Sequence, residues 1–568
     1  MGSLGFWRLA ANDPGRVAAV DPDGTTYTAG ELLARANRLV HGLRDLGLRP
    51  GDGICGLVPN GVDGLVLYLA ALQAGWYYTP INWHLAGPEI AYIVADSEAK
   101  AFFVHARYAA QGVPGAAGID ERRRFAIAGE LPGFRPLGDL VDGCPGTLPD
   151  ERTAGATMHY TSGTTGRPKG VRRPLPGIDP DDAAELMTFL LTFFGFTAGP
   201  PNAHLVTSPS YHTAVTQFGG SALHMGHTLV YMDQWDAEET LRLVERYRIT
   251  STHMVPTHFK RLLALPRDVR ERYDVSSMRW AIHAAAPCPV PIKQAMLDWW
   301  GDCVWEYYAA TEGGGTVASP QDWREHPGTV GRAWPISELL IVDDDGAEVP
   351  AGTPGTIYMK MAGGEFEYKG DEEKTRAARL KDHFTVGDVG YLTEDGFLFL
   401  SDRKADVIIS GGANIYPAEI ENEIMVHPKV ADVAVFGIPD EDWGEQIKAV
   451  VEPAAGVPPG PALAEEILAS LDGRLARMKW PKSFDFVERM PREPNGKLLK
   501  RRLRDPYWKN QDLSGEPTSE RSGGEGRAPA ERARRRARPS DTSGEPTSER
   551  SGGEGRAPAQ RTRREARP

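Results

Sequence analysis

Helix-like and strand-like segments take turns along the chain from its first residues to about residue 330. AGELLARANRLVHGLRDLG (29–47) places apolar residues at helical spacing, and ICGLVP (54–59) reads as a short buried strand. GLVLYLAALQAG (64–75) then reads as helix and YYTPI (77–81) as extended chain. HTLVYM, AEETLRLVERYR, STHMVP, MRWAIHAAA and VWEYYAAT carry the pattern on to residue 311. Such alternation demands a mostly parallel sheet covered by helices, an α/β fold. At 568 residues the chain is too long for one core, and a prior of roughly 150 residues per domain gives about 4 units.

The texture changes after about residue 330. ISELLIVDDDGAEVPAGTPGTIYMK (336–360) has apolar runs cut by Gly, Pro and Asp turns, the mark of antiparallel strands. From about 403 two strand-like and two helix-like segments form an α+β unit of about 100 residues. The expected division is 1–402 (with a β-rich part at about 330–402), 403–508, and 509–568. The last stretch repeats SGEPTSERSGGEGRAPA from Ser514 and from Ser543 and has almost no large apolar residues. It cannot bury enough surface to offset its ordering entropy, so it reads as a disordered tail. Its Arg-rich run at Arg534–Arg536 and Arg538 leaves a solvated tail and a partner or nucleic-acid contact both open.

Composition excludes some classes. A formal net charge of −13 argues against broad nucleic-acid binding. Cys55, Cys144, Cys288 and Cys303 form no CxxC pair, so they read as free thiols of a reducing, cytoplasmic compartment. The start, MGSLGFWRLA, lacks the pattern of a signal peptide. LMTFLLTFFGF (186–196) is far short of the roughly 20 residues that cross a bilayer. It reads as a buried helix, with contact to a greasy substrate or membrane as the alternative.

The densest chemical signal is YTSGTTGRPKGV (160–171). Glycines let backbone N–H groups approach an anion, hydroxyls add donors, and a lysine adds a point charge. It is not a Walker A loop, because Pro168 precedes Lys169 and Gly170 follows it, which disfavours a helix there. Further strings follow in order: SPSYHTA around Tyr211–His212, HAAAP at 283–287, YYAATEG at 307–313, VGDVGY at 386–391, SDRKADVIISGGANIYPAEIE at 401–421, and PREPNGKLL at 491–499.

Together, over about residues 5–505, these strings resemble the adenylate-forming superfamily: acyl-CoA synthetases, aryl-CoA ligases, luciferases and peptide-synthetase adenylation domains. The resemblance implies a large N-terminal domain of helix-covered sheets with a small β-barrel-like part, then a small mobile α+β domain. It implies that Thr161, Ser162, Gly163, Thr164, Thr165, Gly166 and Lys169 hold the phosphates of ATP. Thr311 would contact phosphate oxygens and Glu312 Mg²⁺, a hard cation suited to a carboxylate. Tyr308 would belong to the nucleotide site, Asp388 would accept both ribose hydroxyls, and Arg403 would lie near the ribose and α-phosphate. Gly411 and Gly412 would line the pantetheine path of coenzyme A, and Lys497 would bridge the substrate carboxylate and the α-phosphate. Tyr211, His212, His283, Ala284, Ala285, Ala309 and Gly313 would line the acid pocket; His212 as a gate or as a satisfied buried histidine stays open.

Two departures from the family pattern stand out. Ala309 replaces a usual glycine, and Ala405 stands where Asp or Lys is common at the hinge. No aspartate stands near Tyr211 to hold an amine, so a simple carboxylic acid is favoured over an amino acid. The resemblance therefore implies an AMP-forming acid–thiol ligase with ATP, Mg²⁺ and coenzyme A. Its partners would be small molecules, with no membrane span and no nucleic acid; a homodimer stays open. Three alternatives remain: delivery to a carrier protein, one half-reaction only, and a non-enzymatic scaffold acting through the tail. A luciferase-like oxidation has no distinct signal. The acid itself is not named by the sequence.

Overall fold

The computed structural model describes residues 4–161, 168–362, 366–403, 406–410, 413–440, 442–493 and 498–509. The alternating segments build two sheets. One has six strands, all pairing in parallel: 135–136, 124–127, 99–105, 53–57, 77–80 and 156–157 in spatial order. The other has nine strands, in the order 332–333, 313–318, 304–310, 280–283, 251–254, 203–206, 228–231, 17–20 and 26–28. Its centre is parallel and its two margins are antiparallel.

The covering helices follow from their apolar spacing. Ala29–Asp45 starts at Thr28, whose side chain accepts from Glu31 N while Glu31 reaches back, a capping box. Val62–Ala74 is apolar all round and is buried along nearly its whole length. It ends on Gly75 at φ +75°, a left-handed position that suits glycine. Thr213–His224 packs beside it, and Gly220 permits this: a Cβ there would collide with the Tyr68 hydroxyl.

Antiparallel strands do appear after residue 330, in a six-stranded sheet from Ser337–Val342 to Leu398–Arg403. The later α+β segment is also as read. Strands Val430–Asp440 and Gly444–Pro453 pair along their length, joined by Ile408–Ser410, Ala413–Ile415 and Ser483–Phe486. Helices Pro417–Met425 and Pro461–Ser470 cover them, around Ile420, Ile424, Val435, Ile447 and Ile467.

One expectation needs correction. The stretch at 186–196 is helical up to Thr192, but it is not a buried helix throughout. Leu186 is 68% and Phe189 48% exposed, while Leu191 and Phe194 are in the core. The helix is amphipathic, and its outer face carries two apolar side chains. All four cysteines are free thiols. Among the described residues no helix is long and apolar enough to cross a membrane.

Candidate active site

The phosphate-loop string is carried by a hairpin. Strands His159–Thr161 and Lys169–Arg172 pair antiparallel, with Lys169 opposite Thr161, in a short three-stranded sheet. The absence of a helix at Lys169 agrees with the reading of Pro168. Ser162, Gly163, Thr164, Thr165 and Gly166 lie outside the described residues, as do Gly411, Gly412 and Lys497, the hinge positions Lys404 and Ala405, and the tail from 510. For Thr161 and Arg403 only the backbone is described.

The hairpin is tied on three sides. Tyr160 donates its hydroxyl to Asp96 Oδ2 at 2.7 Å. Lys169 Nζ lies 3.1 Å from Asp371 Oδ2. Arg173, just beyond the second strand, donates from Nη2 to the Thr311 carbonyl at 2.7 Å. That last bond joins the hairpin to the strand Val304–Ala310, whose end carries Thr311 and Glu312.

Thr311 Oγ1 also lies 3.2 Å from Thr213 Oγ1, at the start of the helix that follows Tyr211 and His212. Glu312 is buried, and its Oε1 accepts from the Tyr368 hydroxyl at 2.6 Å. Burial and the Glu312 charge push the Tyr368 hydroxyl well above the usual phenol range. Among the described residues no group of three metal-ligating side chains exists. A single buried carboxylate still fits Mg²⁺, which takes most of its ligands from phosphate oxygens and water. Tyr308 donates to Asp388 Oδ2 at 2.7 Å, joining two strings 80 residues apart. Asp388 faces Arg403 across paired strands.

Tyr211 and His212 lie ring against ring, 4.4 Å between centroids, and Trp83 meets Tyr211 edge-on at 4.7 Å. The Tyr211 carbonyl is held by His159 Nδ1 at 3.1 Å; burial pushes the His159 imidazole down to about 4, so it is neutral and donates. Behind Tyr211 a narrow cavity of about 40 Å³ runs between Val62–Ala74 and Thr213–His224, past Val206, Val215 and Gly219.

Ala284, Ala285, Ala309 and Gly313 lie at adjoining strand ends. Ala285 is exposed and sits at φ +74°, a strained value for a residue with a Cβ. Gly313, at φ +127°, is a glycine of necessity. His283 departs from its expected place. Its ring is fully buried, edge-on to Phe259 at 5.0 Å and 3.5 Å from Glu306 Oε2, so it belongs to the core rather than to an open pocket wall. The small residues after it misled, because the pocket-like run begins only where the strand ends.

Sequence reasoning missed Thr213, Tyr368, Asp371, Arg173, and the buried pair Lys293–Glu306, whose Nζ–Oε2 distance is 2.6 Å. Only Arg173 left a trace: a second arginine following the phosphate-loop string. The other contacts span 13 to 202 residues and have no local signature.

Comparison with known proteins decides the family. The AMP-binding enzyme family matches residues 6–364, and the AMP-binding enzyme C-terminal domain matches 419–497. This chain belongs to the AMP-binding enzyme family. As a member of that adenylate-forming family it is a ligase. It is 35% identical over 506 residues to a feruloyl-CoA synthase of an Amycolatopsis species, covering 88% of this chain and 98% of the relative. It is 30% identical over 502 residues to the fatty acid–acyl-carrier-protein ligase ScoC of Streptomyces coeruleorubidus, covering 86% and 93%. The ATP-bound structure of MatB from Rhodopseudomonas palustris superposes with a TM-score of 0.74 at 31% identity, over 88% of this chain and 98% of that one.

Proposed function

We propose that this ligase activates a carboxylic acid as its acyl-adenylate, releasing pyrophosphate, and then passes the acyl group to the thiol of coenzyme A, releasing AMP. The observation that supports this reading is the hydrogen bond from Arg173, the residue after the hairpin's second strand, to the Thr311 carbonyl, next to Glu312. In this reading ATP lies across the strand ends. Its ribose sits on Asp388, which Tyr308 orients, and its phosphates lie between the hairpin turn, Lys169 and Thr311. Lys169 then exchanges Asp371 for phosphate. Glu312 would hold Mg²⁺, which would supply charge neutralisation for the phosphates.

The acid enters past Tyr211 and His212, against Ala284, Ala285, Ala309 and Gly313. Lys497 offsets the repulsion between carboxylate and α-phosphate. A rotation of the segment after residue 403 then withdraws Lys497 and admits coenzyme A along Gly411 and Gly412, a hinge motion. The relatives named for feruloyl-CoA and for fatty-acid ligation support an aryl or fatty acid as substrate, and a cytoplasmic setting suits ATP and coenzyme A. Mass analysis of products from ATP, a panel of aryl and fatty acids, and coenzyme A tests the reading: AMP and an acyl-CoA thioester are expected. Acyl-AMP that stays untransferred to coenzyme A but loads a carrier protein would favour the second reading, which rests on the similarity to ScoC.

A further inference from the structure

We propose that Arg173 is an anion-binding residue of this active site, holding an anionic oxygen brought by a substrate. The proposal rests on the adenylate-forming reading above. Its source is a mismatch between what Arg173 is and what it is given. A guanidinium has five N–H donors in a planar fork. Among the described residues its side chain makes one hydrogen bond, to the neutral Thr311 carbonyl, and no carboxylate lies within ion-pair distance. Yet the side chain is half-buried, in the interior of the site.

None of its remaining donor nitrogens is a buried atom without a partner, so they stay open to solvent and to a ligand. The neighbouring arginine is used differently: the Arg172 guanidinium lies over the Tyr77 ring at 4.9 Å. The Tyr77 hydroxyl, in turn, donates to the Arg173 carbonyl at 2.8 Å, which fixes the backbone from which the Arg173 side chain departs.

The surroundings name the kind of ligand. Gly313 borders the guanidinium: a Cβ there would lie 3.7 Å from Arg173 Nη2, an ordinary contact distance, and 3.2 Å from Met361 Cε. The group thus lies between the hairpin that carries the phosphate string and the Thr311–Glu312 pair. The Glu312 charge is felt at Arg173, although burial outweighs it and lowers the guanidinium's affinity for its proton. A planar fork with free donors suits a phosphate or a carboxylate equally. Two sources supply such an oxygen: a phosphate of ATP, or an acidic substituent on the acid being activated.

Arg173→Gln separates this role from a structural one, because glutamine keeps an N–H for the Thr311 carbonyl but has no charge. Acid-dependent ATP–pyrophosphate exchange is measured for wild type and variant with two acids of the same skeleton, one bearing a second carboxylate. Loss of a charge-assisted bond raises the affected KM about 10- to 100-fold. A rise in KM for ATP with both acids assigns the oxygen to phosphate. A rise confined to the KM of the dicarboxylic acid assigns it to the substrate. Arg173→Lys, with its charge but not its fork, recovers part of either loss. Unchanged KM values in folded Arg173→Gln overturn the proposal. Exchange by the wild type shows that the functional reading stands on its own, so the two failures are distinct. If glutamine prevents folding while lysine restores wild-type KM values for every substrate, Arg173 is structural and the proposal also falls.

Discussion

Lys293→Met tests whether charge inside this fold is paired by necessity. Lys293 Nζ donates to Glu306 Oε2 at 2.6 Å, with side chains 0% and 7% exposed. The ammonium also lies 5.0 Å from the centre of the Trp323 ring. Burial lowers the lysine and raises the glutamate, and their mutual attraction opposes both shifts. Methionine fills the volume but leaves Glu306 as a buried carboxylate without its ammonium; its remaining neighbour, the His283 ring at 3.5 Å, is kept neutral by burial, and the destabilisation is about 3–5 kcal/mol. The second variant, Lys293→Met/Glu306→Leu, removes both charges, and its cost is well below the sum of the single costs.

The sign of the pH dependence follows. In Lys293→Met the folded pKa of Glu306 rises above the ordinary 4.5. The native state then binds the extra proton, so stability present below the unfolded pKa is lost as pH rises through the folded one. Urea unfolding at about pH 8 and about pH 5 therefore shows the larger penalty at the higher pH. A penalty under about 1 kcal/mol at the higher pH, or strict additivity in the double variant, refutes the reasoning.

Two other perturbations have defined outcomes. Asp388→Ala removes the Tyr308 hydrogen bond and the proposed ribose contact; KM for ATP rises about 10- to 100-fold while KM for the acid stays near wild type, by steady-state kinetics. Lys260 reaches from helix Pro256–Leu263 to the Val430 carbonyl at 3.2 Å, and burial pushes its amine down to about 8 from 10.5. Its folded pKa is depressed, so its contribution is present above pH 10.5 and lost as pH falls through about 8. Thermal unfolding across that window shows this rise with pH in the wild type, and Lys260→Met abolishes it.

The sequence made the architecture readable where local chemistry alone sets it. Apolar spacing located the amphipathic helix at 29–45 and the fully buried strand at 53–57. Pro168 and Gly170 kept Lys169 out of a helix, and Lys169 lies in a strand. Pairings across the chain were not readable. Tyr308 meets Asp388, and Glu312 meets Tyr368, only after two sheets have formed and met. His283 shows the opposite error: a ring followed by three alanines looked like a pocket wall, but a strand end can bury its last side chain and open the site only at the next residue. Leu186 and Phe189 were read as interior from apolarity alone, and neither faces the core.

The most direct test of acyl-adenylate formation is acid-dependent exchange of labelled pyrophosphate into ATP, without coenzyme A, by wild type and Lys497→Ala. The account predicts exchange with at least one aryl or fatty acid and a fall of about 100-fold or more in the variant, the scale for loss of a group that stabilises transition-state charge. Thioester formation without any exchange, or undiminished exchange by Lys497→Ala, would contradict it.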